Sequence, residues 1–343
     1  MRFRRQSSFS ALAGLAFAVL LQAPCHGQVA STSRGDRVEV FARVPAARAM
    51  AICGGALYVG TTGNAVYGVP LSGGRAVRAA SGLTAPNGVA CLGNRLYVAS
   101  RDRVSASTPT PGGGLADRVD VQTGLPNLAH HGLRYIQAGP DGRLYIAIGS
   151  PCNICRPQGL QGTIVSIGPN GGDLRRVAWG IRNSVGFDWS GGVMYFTDNG
   201  ADGMGDNTPP DELNALRPDA FYGFPYFGGR VRLRGFETAT PPATQTPPVY
   251  EFQAHVATLG VHFYHGAMFP ELRDEALVAE HGSWNRSTPV GYQVVRLRIG
   301  SASSGNGQRF LRGIGRPVDV KELPDGSIVV SDDAGGRIWR VSR

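Results

Sequence analysis

The sequence predicts an all-β protein, a six-bladed β-propeller of four-stranded antiparallel blades. Three observations carry that prediction: a turn-rich composition, a strand that recurs six times, and strands at the two ends of the chain that could share one blade. The 343 residues hold 49 Gly and 23 Pro against 17% charged residues, a balance poor in helix formers and rich in turn formers. An all-α or doubly wound chain is disfavoured. Length alone would allow two domains; the repeat decides for one.

From the N-terminus, Arg2, Arg4 and Arg5 precede an apolar run from Ala11 to Leu21, and small and polar residues follow from Ala23 to Ala30. This is the order of a Sec-type signal peptide cleaved near Gly27 or Ala30. The apolar run is too short to span a bilayer, and no later stretch reaches the length that a transmembrane helix needs. The expectation is a leader over 1–28 and one propeller domain over 36–343, exported to the periplasm or secreted. The leader's three arginines account for a third of the formal net charge of +9. The remaining arginines are scattered through strands and loops, which argues against a nucleic-acid partner.

The repeat is a turn followed by a short apolar strand: Gly55 to Val59, Gly93 to Val98, Pro140 to Ile146, Gly191 to Phe196, Leu272 to Val278 and Pro324 to Val330. Most intervals are near the ~40–50 residues of a four-stranded blade. Asp-Gly and Gly-Gly pairs tolerate the positive φ that hairpins need. The long interval between the fourth and fifth repeats holds Asn207 to Pro248, rich in Pro, Gly and Tyr, and reads as an insertion of ordered loop. The strands Val38 to Phe41 and Arg337 to Val341 could close the ring within one blade.

Cysteine usage agrees with export. Beyond Cys25 in the leader, the chain has Cys53, Cys91, Cys152 and Cys155, an even number suited to an oxidising compartment. Cys152 and Cys155 could form a small loop disulfide. Arg156 stands where a c-type haem motif needs His, and no matching soft ligands complete a zinc site. Cys53 and Cys91 precede equivalent strands of successive repeats, as buried thiols or as a second bridge.

Propellers carry function on loops at one end of the channel, and polar clusters stand just outside the repeated strands. They are Asn127 to Arg134 with His130 and His131, Trp179 to Gly186, Asp198 to Asn214, His281 to Arg286, and Gly315 to Asp319. At these residues the chain resembles the soluble pyrroloquinoline-quinone-dependent sugar dehydrogenases, especially the sorbosone dehydrogenase-like branch. The matching segments include His-His-Gly-Leu-Arg ending at Arg134, Pro-Cys-Asn-Ile-Cys ending at Cys155, Trp-Gly-Ile-Arg-Asn ending at Asn183, Thr-Asp-Asn-Gly ending at Gly200, Pro-Pro-Asp-Glu-Leu-Asn ending at Asn214, Tyr-Gly-Phe-Pro ending at Pro225 and His-Gly-Ser-Trp-Asn-Arg-Ser ending at Ser287. Each is weak alone; their shared order from about residue 40 to the C-terminus is specific.

The resemblance implies an enzyme that oxidises an aldose or sorbosone-like sugar at the channel mouth, with pyrroloquinoline quinone (PQQ) and Ca²⁺ as cofactors and an external electron acceptor. It implies a histidine base that takes the hydroxyl proton while hydride passes to the quinone, a task suited to an imidazole pKa near 6.5. His130, four residues before Arg134, matches that base better than His131. Arg182 and Arg316 sit where the family pairs guanidinium forks with quinone carboxylates. Asn183 would hydrogen-bond a quinone oxygen, and His281 would replace a cofactor-contacting lysine. The carbonyls of Gly200 and Ala201 match the pair that holds the cofactor's calcium. Glu212 and the Tyr222 carbonyl match a second, structural calcium site, with Asp202, Asp206 and Asp211 as helpers.

Two departures from the glucose-oxidising branch bear on activity: Ala129 and Ser150 stand where that branch has carboxylates near its histidine. Two other classes remain in view. A calcium-dependent lactonase-type propeller would need several side-chain carboxylates and an Asn converging on one ion, and a non-catalytic binding propeller would leave the Arg and His clusters unexplained. Monomer and homodimer are both compatible with the sequence.

Overall fold

Each of the six repeated segments forms the second strand of a blade of four antiparallel strands, and in blades 3, 4 and 5 a short fifth strand adds to the outer edge. The computed structural model describes residues 29–343; the expected leader, with Cys25, lies outside them. Blade 1 comprises Ala47–Cys53, Ala56–Thr61, Val66–Pro70 and Val77–Ala80, and blade 2 comprises Gly88–Leu92, Arg95–Ala99, Val104–Thr110 and Gly114–Gln122. Blade 3 is Ile136–Ala138, Leu144–Ile148, Thr163–Ile167 and Arg175–Trp179; blade 4 is Phe187–Ser190, Val193–Asp198, Glu212–Ala215 and Tyr250–Phe252. Blade 5 is Thr258–Phe263, Ala276–Glu280, Gln293–Leu297 and Gln308–Arg312. Blade 6 takes Pro317–Glu322, Ile328–Asp332 and Arg337–Ser342 from the C-terminus and its outermost strand, Arg37–Arg43, from the N-terminal end. The ring therefore closes within one blade, as the terminal strands predict.

A blade packed between two others must be apolar on both faces, and the second strands are: Ala56–Thr61 and Ala276–Glu280 are buried at every residue. The fourth strand Gly114–Gln122, at the rim, has no buried residue. The core follows the same logic. Its six largest clusters each join adjacent blades; one sets Val329 and Ile338 of blade 6 against Leu57 and Val59 of blade 1, and another sets Ile164 of blade 3 against Phe187 and Phe196 of blade 4. Burial between blades, rather than within any one, stabilises the ring.

The long interval corrects the sequence expectation in part. Glu212–Ala215, inside the segment read as inserted loop, is the third strand of blade 4, paired Asp198↔Glu212 through Tyr195↔Ala215. Its Glu-Leu-Asn-Ala sequence lacks the β-branched residues that mark strands; pairing with a strong neighbour makes it one. The insertion proper follows it. Ala220–Phe221 adds in parallel to the outer strand of blade 3, and Phe227–Gly228 pairs with Val231–Arg232 in a short hairpin.

Two disulfides are present, Cys53–Cys91 between the first strands of blades 1 and 2, and Cys152–Cys155 within a loop. Among the described residues the only helical element is the 3-10 turn Pro270–Leu272, and no helix is long and apolar enough to cross a membrane.

Candidate active site

In an up-and-down blade, the connection entering the first strand and the connection from the second strand to the third open at the same end. That end gathers the segments 127–135, 180–186 and 313–316, which enter first strands, and 149–162, 199–211, 281–292 and 333–336, which leave second strands. Every sequence-predicted site residue except Glu212 and Tyr222 lies on these segments.

One device positions both predicted arginines. In blade 4 the second strand ends on Asp198, whose carboxylate accepts the backbone N–H of Arg182 at 2.9 Å and of Asn183 at 2.6 Å. In blade 6 the second strand ends on Asp332, whose Oδ1 accepts the backbone N–H of Arg316 at 3.0 Å. A buried carboxylate at the strand end thus satisfies an otherwise orphaned loop amide and fixes the arginine's place. Asp198 and Asp332 were missed by the sequence reading, although Thr-Asp and Ser-Asp recur at the end of the same strand in two blades.

Arg182 is 4% exposed and fully engaged. Its guanidinium donates to the Asn153 carbonyl at 3.0 Å, to Asn153 Oδ1 at 2.9 Å and to Asp202 Oδ2 at 2.8 Å. Asn285 Nδ2 donates to the other Asp202 oxygen at 2.6 Å, linking the blade 5 loop to the same carboxylate. Asn153 lies between Cys152 and Cys155, so the disulfide constrains the loop that holds the arginine.

The adjacent histidines differ in environment. His131, at φ 49°, sets Nδ1 3.1 Å from both the carbonyl and the hydroxyl of Ser150, and Ser150 Oγ donates to the Cys152 carbonyl at 2.8 Å. A Cβ on Gly149 would lie 2.5 Å from the His131 Cβ and 3.2 Å from Asn183 Oδ1, so this glycine lets the imidazole approach Asn183. Burial first, then the Arg182 and His130 charges, push the His131 pKa down to about 3. His130 is exposed and packs against His131 at a tilt of 55°, with ring centroids 4.0 Å apart. Spacing to Arg134 favours His130, but Arg134 is itself buried, donating to the carbonyls of Arg101, His131 and Pro126 as a brace for the loop. The anchored ring is His131.

Arg316 and His281 meet across blades 5 and 6. Arg316 Nη2 lies 3.0 Å from His281 Nδ1 and donates to the Gly282 carbonyl at 2.8 Å. His281 Nε2 is 3.0 Å from Asp333 Oδ1, and Arg48 of blade 1 reaches Asp333 Oδ2 at 2.9 Å. Burial, the largest influence, opposes ionisation of Asp333, but the His281 and Arg48 partners outweigh it and hold the carboxyl down at about 2. Burial also lowers the His281 pKa. Arg182, Arg316 and Arg48 thus bring three guanidinium groups to one end of the ring. Trp284, on the His281 loop, is 69% exposed, a large ring presented to solvent beside polar loops.

The predicted calcium residues fall in and around blade 4. Gly200 donates its N–H to Asp211 Oδ1 at 2.7 Å, and a Cβ there would lie 2.5 Å from the Pro210 carbonyl, so only glycine fits. Ala201 is buried beside Phe224 and Leu233. Glu212 is buried; Asn214 Nδ2 donates to it at 2.9 Å and the Gly229 amide donates to its other oxygen. Asn214 Oδ1 is buried without a partner. The Tyr222 side chain is occupied, donating to the Ala215 carbonyl at 2.8 Å and accepting from the Arg217 amide at 2.7 Å. Asp198 and Glu212 are directly paired across strands, a like-charge arrangement that costs stability unless something positive intervenes. Burial pushes the pKa of both upward, with their mutual repulsion adding to the Glu212 shift. Burial likewise lifts Asp211 to about 6.

Among the described residues no grouping of three or more His, Cys, Asp and Glu side chains is arranged to hold a metal. A cation here would therefore draw mainly on backbone and amide oxygens. The orphaned Asn214 oxygen and the uncompensated carboxylates fit an oxygen-seeking ion such as calcium. The guanidinium groups similarly fit a planar polycarboxylate.

The family model described as Glucose / Sorbosone dehydrogenase matches residues 117–340. A curated relative, an uncharacterised protein of Borreliella burgdorferi, is 43% identical over 232 residues, which cover 63% of this chain and 61% of that protein's length. Among solved structures, the holo PQQ domain of pyranose dehydrogenase from Coprinopsis cinerea superposes at TM-score 0.77 with 21% identity, over 92% of this chain and 97% of that one. A calcium structure of Trichoderma reesei carbohydrate-active enzyme family AA12 gives TM-score 0.77 and 21% identity, over 91% and 96%. The soluble aldose sugar dehydrogenase of Escherichia coli in its apo form gives 0.68 and 18%, over 89% and 99%. At these identities the superpositions establish the shared fold.

Proposed function

The chain belongs to the glucose / sorbosone dehydrogenase family, and from that premise we propose that it is an exported, PQQ- and calcium-dependent oxidoreductase acting on an aldose or sorbosone-like sugar. The observation that carries the reading is the gathering of three guanidinium groups and an anchored neutral imidazole at one end of the ring. The superposed structures include a holo PQQ domain and a calcium form. Two disulfides suit the periplasm or the exterior, and the catalytic unit is the propeller over 36–343.

Arg316, Arg182, His281 and Asn183 would hold the quinone, and the Gly200 and Ala201 carbonyls the calcium beside it. Glu212 and the Tyr222 carbonyl would hold the second calcium. When bound, the quinone supplies a two-electron acceptor. The residues of the chain supply orientation and proton handling. With Nδ1 of His131 engaged by Ser150, Nε2 is the nitrogen left to take the proton of the sugar's reacting hydroxyl. The depressed pKa keeps that ring neutral, with its lone pair free, at any pH above about 3. The Arg182 charge contributes to the depression even with Asp202 paired to it, so a further anion brought beside Arg182 raises the basicity of His131 toward the range where general bases work best. Ser150 takes over the orienting task that a carboxylate performs elsewhere in the family, without adding charge. His130, exposed and packed against His131, would meet the sugar or solvent. Trp284 offers a ring face for the sugar.

The lactonase-type alternative calls for several side-chain carboxylates on one ion, an arrangement not found among the described residues. The test is reconstitution. Purified protein supplied with PQQ and Ca²⁺ should reduce a dye when an aldose is added. His131→Ala should lower kcat by roughly 10²–10⁴-fold, with a smaller loss in His130→Ala. Full activity in the His131 variant would move the base elsewhere, and the absence of any PQQ-dependent sugar oxidation would discard the reading.

A further inference from the structure

We propose that a cavity on the flank of blade 3 is a second binding site, for a small ring-shaped molecule that bears a carboxylate. The cavity, about 270 Å³, is framed by the 149–162 connection, the strand Arg175–Trp179 and the insertion. None of the residues assigned to the active site lines it. Its walls include the rings of Trp179, Phe221 and Tyr226, with the first two packed at 4.6 Å between centroids.

The polar groups on this apolar frame are specific in kind. Two arginines reach the cavity. Arg176 is tied to Asp219 at 2.9 Å. Arg156 is exposed, its guanidinium stacked 5.6 Å from the centroids of both Tyr226 and Phe236, and it has no carboxylate partner among the described residues. Gln161 Oε1 accepts the Gln158 amide at 2.9 Å, which leaves its NH₂ group to face a ligand. Arg156 and Gln161 thus offer donors, so the matching ligand contributes acceptors, and beside an unneutralised guanidinium the best acceptor is an anion. Aromatic walls accept the flat or C–H face of a ring. The volume is near the lower end of ligand pockets, about 300 Å³, and so fits one ring. Carboxylate and ring are shared by sugar acids and aromatic acids, whereas a neutral sugar lacks the anion.

The full-length mature protein should be titrated calorimetrically with D-glucuronate, benzoate and D-glucose. At least one acid is expected to bind in the millimolar range or better, with glucose much weaker, and the acid that binds identifies the source chemistry. Arg156→Gln should weaken the acid by about tenfold or more, the worth of a charge-assisted hydrogen bond, while Arg316→Gln leaves it unchanged. Arg156 is exposed, and an unaltered melting temperature verifies that its variant folds. No acid binding at millimolar concentration, equal binding of glucose, or a loss that follows Arg316 rather than Arg156 would each overturn the proposal.

Discussion

Carboxylates in two parts of the ring are shifted in opposite directions, although burial pushes all of them the same way. Among the first strands of blades 3 to 6, Asp188 and Glu322 stay below their ordinary pKa values although burial works against them. In blade 4, Asp198, Asp211 and Glu212 are all raised, with burial as the main cause. The difference lies in the partners. His262 contacts Asp188 at 2.9 Å and Glu322 at 3.8 Å, and Lys321 lies 3.5 Å from Asp319 and 3.0 Å from the Tyr135 hydroxyl. Gln137 carries the chain of contacts on to Asp188 at 2.9 Å. Asp198, Asp211 and Glu212 are met chiefly by amides, with Arg182 acting on the two aspartates only at a distance. The first set is complete; the second is arranged for a cation that the side chains do not provide.

The largest effect is expected from converting the first set into the second. Lys321→Met removes the cation beside Asp319 and leaves a buried carboxylate met only by the Met50 and Val320 amides, at a cost of about 3–5 kcal/mol. The loss should be greater at pH 8 than at pH 5, because Lys321 also helps to hold the Asp188 pKa down, and a carboxyl deprived of that help is worst off where it must stay ionised. Chemical denaturation at the two pH values measures it. Equal losses at both would mean that Lys321 acts through packing rather than charge.

The converse experiment supplies the missing cation to the second set. Calcium at a hundredfold excess over its dissociation constant should stabilise the fold by about 2.7 kcal/mol, visible as a rise of several degrees in melting temperature. Glu212→Gln should abolish most of that rise while changing the calcium-free melting temperature little, since the wild-type carboxyl is already pushed toward its neutral form. Magnesium should be a poor substitute, because carbonyl-rich irregular sites suit the larger ion. A melting temperature indifferent to calcium would break the comparison.

These two regions also show what the sequence could reveal. The ring itself was legible, because each second strand is an apolar run behind a Gly-containing turn or, in blade 5, behind Arg-Asp-Glu, and those runs are the strands buried on both faces. Glu212–Ala215 was not, since its strand character comes from its partner Val193–Asp198. At the candidate site, Arg182, Asn183, Arg316 and His281 were singled out by the motifs that hold them, and the structure brings them to one end of the ring. Asp198 and Asn153 stand inside quoted motifs but were given no role, and Asp333 was not singled out, because an Asp or Asn in a Gly-rich turn looks the same whether it closes the turn or grips a neighbouring loop; Arg48 lies in a strand with no motif around it. Spacing to Arg134 points to His130 as the base, whereas the ring anchored on Ser150 is His131. That is decided by a left-handed backbone angle, which spacing alone does not encode.

The smallest predicted effect tests whether the first set is held by charge. His262 is raised above the free imidazole value because the hydrogen bonds and charges of Asp188 and Glu322 outweigh burial and the Lys321 charge. A raised folded-state pKa means that the folded protein binds the proton more tightly than the unfolded chain. The stabilisation is therefore fully present below the unfolded value near 6.5 and is lost as pH rises through the folded value. Asp188 and Glu322, being lowered, contribute in the opposite sense; their share is present above the ordinary carboxylate range and fades on acidification. His262→Gln keeps a donor for Asp188 but no titrating charge. The stability difference between wild type and His262→Gln should thus be about 1–2 kcal/mol at pH 6, the worth of a charged hydrogen bond, and should shrink steadily toward pH 9. A difference independent of pH would show His262 to be a neutral spacer and would leave Lys321 as the cation that sets this region apart from Asp198, Asp211 and Glu212.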